Sequence, residues 1–494
     1  PPRWRGPLSV YAAVKRSGAN APPWGGGRFA HGVLTRDETR YHIDMSVPAD
    51  ASILTSAALR EAEAACAVQG TALCELMELA GAAVADTAWR MAAGAPTLIL
   101  CGPGNNGGDG YVAARLLAAR GATVRVAALA EPATDLAKAA RAEWNGPVEP
   151  IDARLAAAPL VVDALFGVGL SRPMADDLAL LLQRFAGRRV LAVDVPSGVE
   201  SDGNAEWLPP LAADVTLALG ALKPAHVLLP TAPACGRVLL APIGIAPHGT
   251  MRTLPSLKAA TPAAIAHKFN RGMVLVFAGP MPGAAGLASA AALRAGGGFV
   301  VVEGSERALL SAIITESDAR FGERLSDPRV GAVVIGPGFP AGDELLFDVE
   351  AALDSGKPLV LDAAAIAASL PRLCETPCRA ILTPHEGEFA RAFPELYGSK
   401  IDRAKAAAVR TGAVVVYKGA DTIVASPDGR VVAAWPGSPW LATAGTGDVL
   451  AGACGAMLAR GGDAFDAAVA AVGWHIAQAA RIGRGLVADD LVRE

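Results

Sequence analysis

Short apolar runs alternate with amphipathic segments along most of the chain. The runs PTLILC, PLVVDALF and RRVLAVDV are apolar at almost every position, which is typical of strands that are buried on both faces of a sheet. Segments such as YVAARLLAAR and DLALLLQRFAG lie between such runs and carry apolar residues at helical spacing. Because apolar strands separated by helices form parallel sheets covered on both sides, the pattern predicts an α/β fold.

The alternation of strands and helices occurs twice. After a Pro- and Thr-rich stretch at 245–265, which we interpret as a linker without strands, it restarts with GMVLVFAG and continues to AVVVYKG and the hairpin DTIVAS-PDG-RVVAAW. We predict two three-layer α/β/α domains, at residues 51–247 and 248–494, the first with a Rossmann-like parallel sheet. Residues 1–50 lack the pattern, and we interpret them as a tail that is disordered or was added for expression.

Composition narrows the class of protein. Hydrophobic residues make up 52% of the 494 positions, the net charge is -4 and aromatic residues are 5%, so we expect neither a nucleic-acid nor a membrane partner. No apolar run reaches the roughly 18–20 residues of a membrane span. Seven cysteines scattered among apolar residues, including a CETPC segment without a second pair, indicate reduced thiols in a cytoplasmic protein.

Three polar clusters follow apolar strands in the first half: GPGNNGGDG, DALFGVGLSRP and DVPSGVESDG. Ligands bind outside the carboxyl ends of parallel strands, so three clusters at such ends indicate one shared site, although a single aspartate there could be a helix cap. The oxygens of Asn106, Asp163 and Ser197 suit a monovalent or weakly held cation. The glycines allow backbone N–H groups to approach an anion.

The first of these clusters also matches the G-x-G-x-x-G pattern of redox Rossmann domains. That pattern requires an acidic residue for the ribose about 20 residues later. Glu131, which lies 24 residues after Gly107, is a poor candidate, and the Asn-Asn pair has no role there. The first cluster is therefore a weak fingerprint of a redox Rossmann domain.

The three clusters together resemble the NAD(P)H-hydrate epimerase family, over residues 53–247. The resemblance implies that Asp194 is the catalytic acid–base group at the hydroxyl-bearing carbon, and that Asn106, Asp163 and Ser197 hold a potassium ion. It also implies the following contacts to the hydrated nucleotide: Asn105, Asn106, Gly107, Gly108, Asp109, Gly167, Val168, Gly169, Leu170, Ser171, Arg172, Pro173 and Asp194. Where the family has MENAG, this chain reads MELAG, with Leu79 in place of the asparagine.

The segment ATAGTGDVLAG carries the strongest chemical signal of the second half. Gly445, Thr446 and Gly447 precede an apolar helix, so their N–H groups can form an anion hole. Asp448 can accept a proton from an attacking hydroxyl, which is the division of roles that phosphoryl transfer requires. A glycine-rich turn with a capping aspartate is the structural alternative. GPG, TPHEGE and YKGADT at other strand ends favour a site, and His385 belongs to it.

These motifs resemble the ribokinase-like fold and, within it, the ADP-dependent NAD(P)H-hydrate dehydratases, over about 260–490. The resemblance implies an ADP site with Mg²⁺ formed by Lys418, Gly419, Ala420, Asp421, Thr422 and Gly447. It implies a hydrate site formed by Ala284, Gly338, His385 and Asp448, with Asp448 catalytic. The segments HKFNRG, DAAAI and GSPWLATAGTGD depart from the family, notably at Ala364 and Trp440.

Both resemblances imply one pathway of repair. The first half would epimerise (R)- and (S)-NADHX and NADPHX, and the second would dehydrate the (S) epimer to NADH or NADPH, with ADP as co-substrate. We expect these small molecules as partners, together with other copies of the chain in a homo-oligomer. The alternative is a ribokinase-like vitamin kinase whose N-terminal module binds a nucleotide without catalysis.

Overall fold

Two sheets organise the computed structural model, which describes residues 47–256, 263–304, 308–316, 321–376 and 378–493. The predicted tail at 1–50 lies outside these residues except for its last four. In the part of the chain that is described, no helix is long and apolar enough to cross a membrane.

The first sheet has seven parallel strands in the order β3-β2-β1-β4-β5-β6-β7. The strands are β1 Thr97–Cys101, β2 Val124–Ala128, β3 Val148–Pro150, β4 Leu160–Ala164, β5 Arg189–Val193, β6 Val215–Leu219 and β7 Arg237–Ala241. The helices are α1 Ser56–Val68, α2 Leu73–Ala92, α3 Asn105–Ala119, α4 Asp135–Ala142 and α5 Asp176–Gln183. The strand order reverses between β1 and β4, where parallel sheets open a crevice for ligands.

The second sheet has ten strands in the order β11-β10-β9-β12-β13-β14-β15-β16-β17-β8, and β16 runs antiparallel to both of its neighbours. The strands are β8 Met251–Thr253, β9 Met273–Phe277, β10 Phe299–Glu303, β11 Ile314–Glu316, β12 Val330–Ile335, β13 Leu359–Leu361, β14 Ala380–Leu382, β15 Val414–Tyr417, β16 Thr422–Ala425 and β17 Val431–Ala434. The helices are α6 Pro282–Arg294, α7 Phe321–Ser326, α8 Asp343–Asp354, α9 Ala364–Glu375, α10 Glu386–Ala392, α11 Lys400–Thr411, α12 Thr446–Ala459 and α13 Ala464–Ile482.

The α/β class and the hairpin β16–β17 are confirmed, whereas the prediction that 245–265 contains no strand is wrong. Met251–Thr253 forms the edge strand β8, parallel to β17. Three residues are too few to show a period in the sequence, and the strand forms because β17 offers a free edge. The domain boundaries at 247 and 248 stay a prediction.

A short extended segment connects the two sheets. Ser52 bridges to Arg252 in β8, and Ile53 bridges to Leu222, which follows β6. The Ile53 N–H donates to the Met251 carbonyl at 2.9 Å, and the Leu222 N–H donates to the Ser52 carbonyl at 3.0 Å. One hydrophobic cluster also contains side chains from both halves, including Ile53, Leu222, Leu228, Phe393, Ile401 and Ile423. The halves therefore share part of their core.

Replacing Ile53, which is fully buried in this shared cluster, tests the connection. We expect Ile53→Ala to lower the free energy of unfolding by about 2–5 kcal/mol, because it removes buried methyl groups and leaves a cavity. Val68→Ala is the control, since Val68 is 89% exposed and its loss should change stability by less than about 0.5 kcal/mol. Urea unfolding followed by circular dichroism measures both, and equal stability of the two variants would contradict the shared core.

Candidate functional site

A cavity of about 490 Å³ opens at the switch point of the first sheet. The loop after β1 and the start of α3 form one wall, and the loop after β4 forms another. These two loops touch through backbone alone, because a Cβ atom on Gly102 would lie 1.8 Å from the Leu165 carbonyl oxygen. The sequence therefore needs glycine here for the loops to close around a ligand.

The structure brings most of the predicted nucleotide contacts to this cavity. Its lining includes Asn105, Asn106, Asp109, Gly167, Val168, Gly169, Leu170 and Asp194. Gly107 and Gly108 are instead buried in the first turn of α3, and Ser171, Arg172 and Pro173 are exposed beyond the lining. The lining also contains Glu63 of α1, which sequence reasoning did not single out.

Asp194 follows β5 and is held by two buried side chains. Its backbone has a φ of +68°, a conformation that non-glycine residues adopt only when their surroundings impose it. The Lys223 ammonium donates to Asp194 Oδ1, as does the Leu219 N–H at 3.1 Å. Lys223 Nζ also donates to the carbonyls of Leu219 at 2.9 Å and Ala221 at 3.0 Å. All three ammonium protons are therefore used, and the ion pair is fixed in direction.

His226 holds the backbone of the same aspartate. Its Nδ1 accepts a hydrogen bond from the Lys223 N–H at 3.0 Å, so its Nε2 carries the proton that is donated to the Asp194 carbonyl at 2.8 Å. Burial, followed by the nearby Lys223 charge, lowers the pKa of His226 to about 4. The ring is therefore neutral near pH 7. Sequence reasoning missed Lys223 and His226, although the polar pair in LKPAH directly follows an apolar strand.

Two further carboxyl groups face this ion pair. Burial raises the pKa of Asp109 well above its ordinary value, and the charges of Asp194 and Glu63 raise it further. Burial also raises the pKa of Glu63, with the charge of Asp194 as the next cause. Buried carboxyl groups of raised pKa beside a cavity are candidates for general acid–base catalysis.

The predicted cation ligands lie beside the cavity in a compact group. Asp163 Oδ1 accepts from the Ser197 hydroxyl at 2.6 Å, and Asp163 Oδ2 accepts from the Ser197 N–H at 2.9 Å. Burial raises the pKa of Asp163, and only hydrogen bonds from Ser197 and Leu165 oppose it, so no cationic side chain among the described residues neutralises this group. The Asn106 side-chain nitrogen is buried and has no hydrogen-bond partner among the described residues.

The second site lies at the carboxyl ends of the adjacent strands β12 to β15. Asp362 follows β13, is buried, and accepts hydrogen bonds from Lys418 Nζ at 2.8 Å and the Thr383 hydroxyl at 2.7 Å. Lys418 itself follows β15, and its Nζ lies 3.7 Å from Glu388 Oε2. A second buried aspartate–lysine pair therefore stands where the sequence predicted a nucleotide loop.

Asp448 lies in the first turn of α12, behind the left-handed Gly445 with φ of +89°. Burial, followed by the Asp362 charge, raises the pKa of Asp448 to about 6, although the Lys418 charge acts against this shift. The free N–H groups at this helix N-terminus can accept an anion. A proton acceptor and an anion site thus occupy the same turn.

A cavity of about 220 Å³ lies beside this turn. Of the predicted nucleotide ligands, it is lined by Lys418, Gly419, Ala420, Thr422 and Gly447. Asp421 is not in the lining, because its carboxylate accepts from Lys400 Nζ at 2.6 Å and from the Leu229 N–H at 3.0 Å. Trp440 is 41% exposed and also outside the lining, which instead contains its neighbours Pro439 and Leu441.

The remaining predicted hydrate contacts follow neighbouring strands. Gly338, after β12, has a φ of +79°, and a Cβ atom there would lie 3.1 Å from the Ala284 side chain. His385, after β14, caps α10 by accepting the Gly387 N–H at 3.0 Å, and its side chain is 55% exposed. Glu388 Oε1 lies 3.3 Å from His385 Nε2, so Glu388 connects His385 to Lys418.

Two glycine-rich loops, each beside buried carboxylates at the ends of parallel strands, define a two-site nucleotide-handling enzyme of the α/β class. Comparison with known proteins gives the same two halves in the same order. Residues 73–225 match the family model described as YjeF-related protein N-terminus, and residues 274–488 match the one described as NAD(P)H-hydrate dehydratase.

Relatives match across both halves. The chain is 33% identical over 441 residues to the bifunctional NAD(P)H-hydrate repair enzyme Nnr of Thermofilum pendens, covering 78% of this chain and 83% of that protein. It is 34% identical over 486 residues to the enzyme of the same name from Gloeobacter violaceus, covering 86% and 92%. The chain belongs to the family of bifunctional NAD(P)H-hydrate repair enzymes, which confirms the resemblance that its motifs indicated.

Among solved structures, one similar chain is the ADP/ATP-dependent NAD(P)H-hydrate dehydratase of Bacillus subtilis, co-crystallised with ATP and Mg²⁺. It is 31% identical, and the match covers 47% of this chain and 90% of that chain with a TM-score of 0.40.

Replacing Asp362 tests the charge coupling in the second site. Asp448 releases its proton as the pH rises through about 6, and Asp362→Asn removes the charge that opposes this ionisation. We therefore expect the Asp448 pKa to fall in the variant. Carbon-13 NMR of labelled aspartate carboxyls measures it, with the Asp448 signal assigned by its loss in Asp448→Asn. The control is Asp343→Asn, on the exposed start of α8, and an unchanged or higher pKa in Asp362→Asn would contradict the coupling.

Proposed function

We propose that the protein repairs hydrated nicotinamide nucleotides in two reactions. The first half exchanges the (R) and (S) epimers of NADHX and NADPHX, and the second dehydrates the (S) epimer to NADH or NADPH. The observation that carries this proposal is the pairing of an oriented, charge-paired aspartate with a second carboxyl group of raised pKa in each half.

In the first half, inversion of the hydroxyl-bearing carbon requires protons to be moved beside it. Ring opening and loss of hydroxide both need a base and an acid within reach of the ring. Lys223 occupies Asp194 Oδ1, and Asp194 Oδ2 would lie 3.5 Å from a Cβ atom on Gly167, so this oxygen is directed to the loop of the cavity. We assign Asp194 as the base and Asp109, whose pKa is raised by burial, as the acid.

A potassium ion fits the group formed by Asn106, Asp163 and Ser197. Asp163 is a buried carboxyl without a cationic side chain beside it in the described residues. Oxygen ligands of this kind suit a weakly held monovalent cation. When bound, the ion would supply a positive charge that compensates the Asp163 carboxylate and attracts the nucleotide phosphates.

In the second half, Asp448 removes the proton from the ring hydroxyl, which attacks the terminal phosphate of ADP and releases AMP. Loss of phosphate and of a proton from the adjacent carbon then forms the ring double bond. The N–H groups at the N-terminus of α12 bind the phosphate group that is transferred. Lys418 Nζ lies close to the same turn, 3.3 Å from the position of a Cβ atom on Gly447. The fold itself holds the N–H groups of α12 and the Lys418 ammonium in these positions.

We further propose that Mg²⁺ accompanies the phosphates of ADP. The described residues contain no group of three or more His, Cys, Asp or Glu side chains that could hold a metal ion, and Asp362 is already paired with Lys418. The ion would then arrive with the nucleotide and neutralise the charge of its phosphates. A cytoplasmic location and a homo-oligomeric state also stay predictions.

Recovery of dihydronicotinamide absorbance from a mixture of NADHX epimers tests the proposal. With ADP, the wild-type protein should restore the full absorbance, whereas Asp194→Asn should quickly restore only the share that was present as the (S) epimer. Asp448→Asn should slow recovery from pure (S)-NADHX by about 100-fold or more. Asp135→Asn, at a side chain that is 98% exposed, is the control and should match the wild type.

Full recovery by Asp194→Asn at the wild-type rate would contradict an epimerase role for the first half. No recovery by the wild type with ADP, or a product that keeps its phosphate, would contradict the dehydratase assignment.

A further inference from the structure

An imidazole without a hydrogen-bond partner lies in the wall of the second cavity. His475 of α13 lines the cavity of about 220 Å³ together with Val472 and Ile476. It is only 7% exposed, and its Nε2 is buried without a partner among the described residues. Because an unsatisfied buried polar atom is costly, such an atom in a cavity wall indicates a ligand that satisfies it.

Three other polar side chains of the same wall form hydrogen bonds within the protein. The Thr446 hydroxyl donates to the Leu441 carbonyl at 2.8 Å, and the Thr422 hydroxyl donates to the Gly419 carbonyl at 2.7 Å. Lys418 Nζ donates to Asp362 at 2.8 Å. His475 Nε2 is therefore a polar atom that this wall can still offer to a ligand.

The protonation state of His475 defines the kind of ligand atom that it can bind. Burial lowers the pKa of His475 to about 4, and a hydrogen bond to the Thr446 backbone acts against this shift. A backbone group that raises a histidine pKa is a carbonyl oxygen that accepts from a ring N–H. Since Nε2 has no partner, that N–H is on Nδ1, so Nε2 of the neutral ring is an acceptor.

The surroundings of His475 indicate which part of a nucleotide lies beside it. The helix N-terminus and Lys418 attract phosphates, whereas Leu450, Val472 and Ile476 make this end of the cavity apolar. Its volume is below the roughly 300–1,000 Å³ of whole-ligand pockets, so it holds one part of a nucleotide. A flat base fits apolar walls, and an adenine base carries an exocyclic amino group as hydrogen-bond donor.

We propose that His475 Nε2 accepts a hydrogen bond from the exocyclic amino group of adenine and thereby selects ADP over diphosphates of other purines. This inference rests on the proposed function only in assuming that the second cavity binds a nucleoside diphosphate. A purine with a carbonyl at the same position, such as hypoxanthine, presents one acceptor to another. A site built for a donor discriminates against such analogues because both acceptors lose their partners.

The first test varies the nucleotide and leaves the protein unchanged. Isothermal titration calorimetry with the full-length protein compares ADP with IDP, which carries the carbonyl, and with purine riboside diphosphate, which lacks the amino group. We expect both analogues to bind about tenfold or more weakly than ADP. Equal affinities would overturn the inference. A loss of affinity with 2′-deoxy-ADP or 3′-deoxy-ADP instead of the base analogues would also overturn it, because the contact would then be to the ribose.

The second test separates base selection from support of the Thr446 turn. His475→Leu should weaken ADP about tenfold and leave IDP nearly unchanged, so that the ratio of the two affinities falls towards one. A merely structural role would weaken all nucleotides by the same factor and preserve the ratio, which would overturn the inference. His248→Leu is the matched control, since His248 is an exposed histidine outside both cavities.

The calorimetric readout also keeps this inference separate from the proposed reaction. Selective ADP binding without any dehydration of (S)-NADHX would support the role of His475 while contradicting the dehydratase assignment. Should His475→Leu fail to fold, as judged by circular dichroism, the nucleotide series on the wild-type protein decides the question alone.

Discussion

The pairing of a buried aspartate with a lysine is the interaction on which both sites depend. The Asp194 and Lys223 side chains are 8% and 0% exposed, and those of Asp362 and Lys418 are 4% and 16% exposed. A buried charge is tolerated only beside an opposite charge with good hydrogen bonds, and removal of one partner typically costs about 3–5 kcal/mol. These pairs therefore fix where negative charge is placed in each half of the molecule.

Beside each pair lies a carboxyl group whose pKa is raised. Asp109 faces the Asp194–Lys223 pair and Asp448 faces the Asp362–Lys418 pair, and burial is the largest cause of the raised pKa in both cases. The two reactions nevertheless use these groups differently, because Asp109 is proposed as an acid and Asp448 as a base. Asp448, with a pKa of about 6, is mostly ionised near pH 7 and yet basic enough to accept a proton, whereas burial raises the pKa of Asp109 and so favours its protonated form.

The sequence predicted the features that follow directly from local pattern. The α/β alternation, the strand-end position of Asp194 and the position of Asp448 at the start of a helix were predictable because apolar strands and glycine-rich turns are local signals. The role of Lys223 could not be predicted, because it contacts Asp194 across 29 residues of sequence and from the segment after the neighbouring strand of the sheet. Likewise, the nucleotide motif suggested that Asp421 contacts a ligand, whereas the fold directs it to Lys400 and Leu229. His475 lies on a helix far along the chain, where nothing local marks it as polar lining.

The most direct test of this account replaces each of these two lysines by methionine and measures both reactions in the same preparation. We predict that Lys223→Met slows exchange of the NADHX epimers by about 100-fold or more and leaves ADP-dependent dehydration of (S)-NADHX at the wild-type rate. Lys418→Met should abolish that dehydration and leave the exchange unchanged. If a correctly folded Lys223→Met protein exchanged the epimers normally, the claim that a buried aspartate–lysine pair governs each site would be wrong.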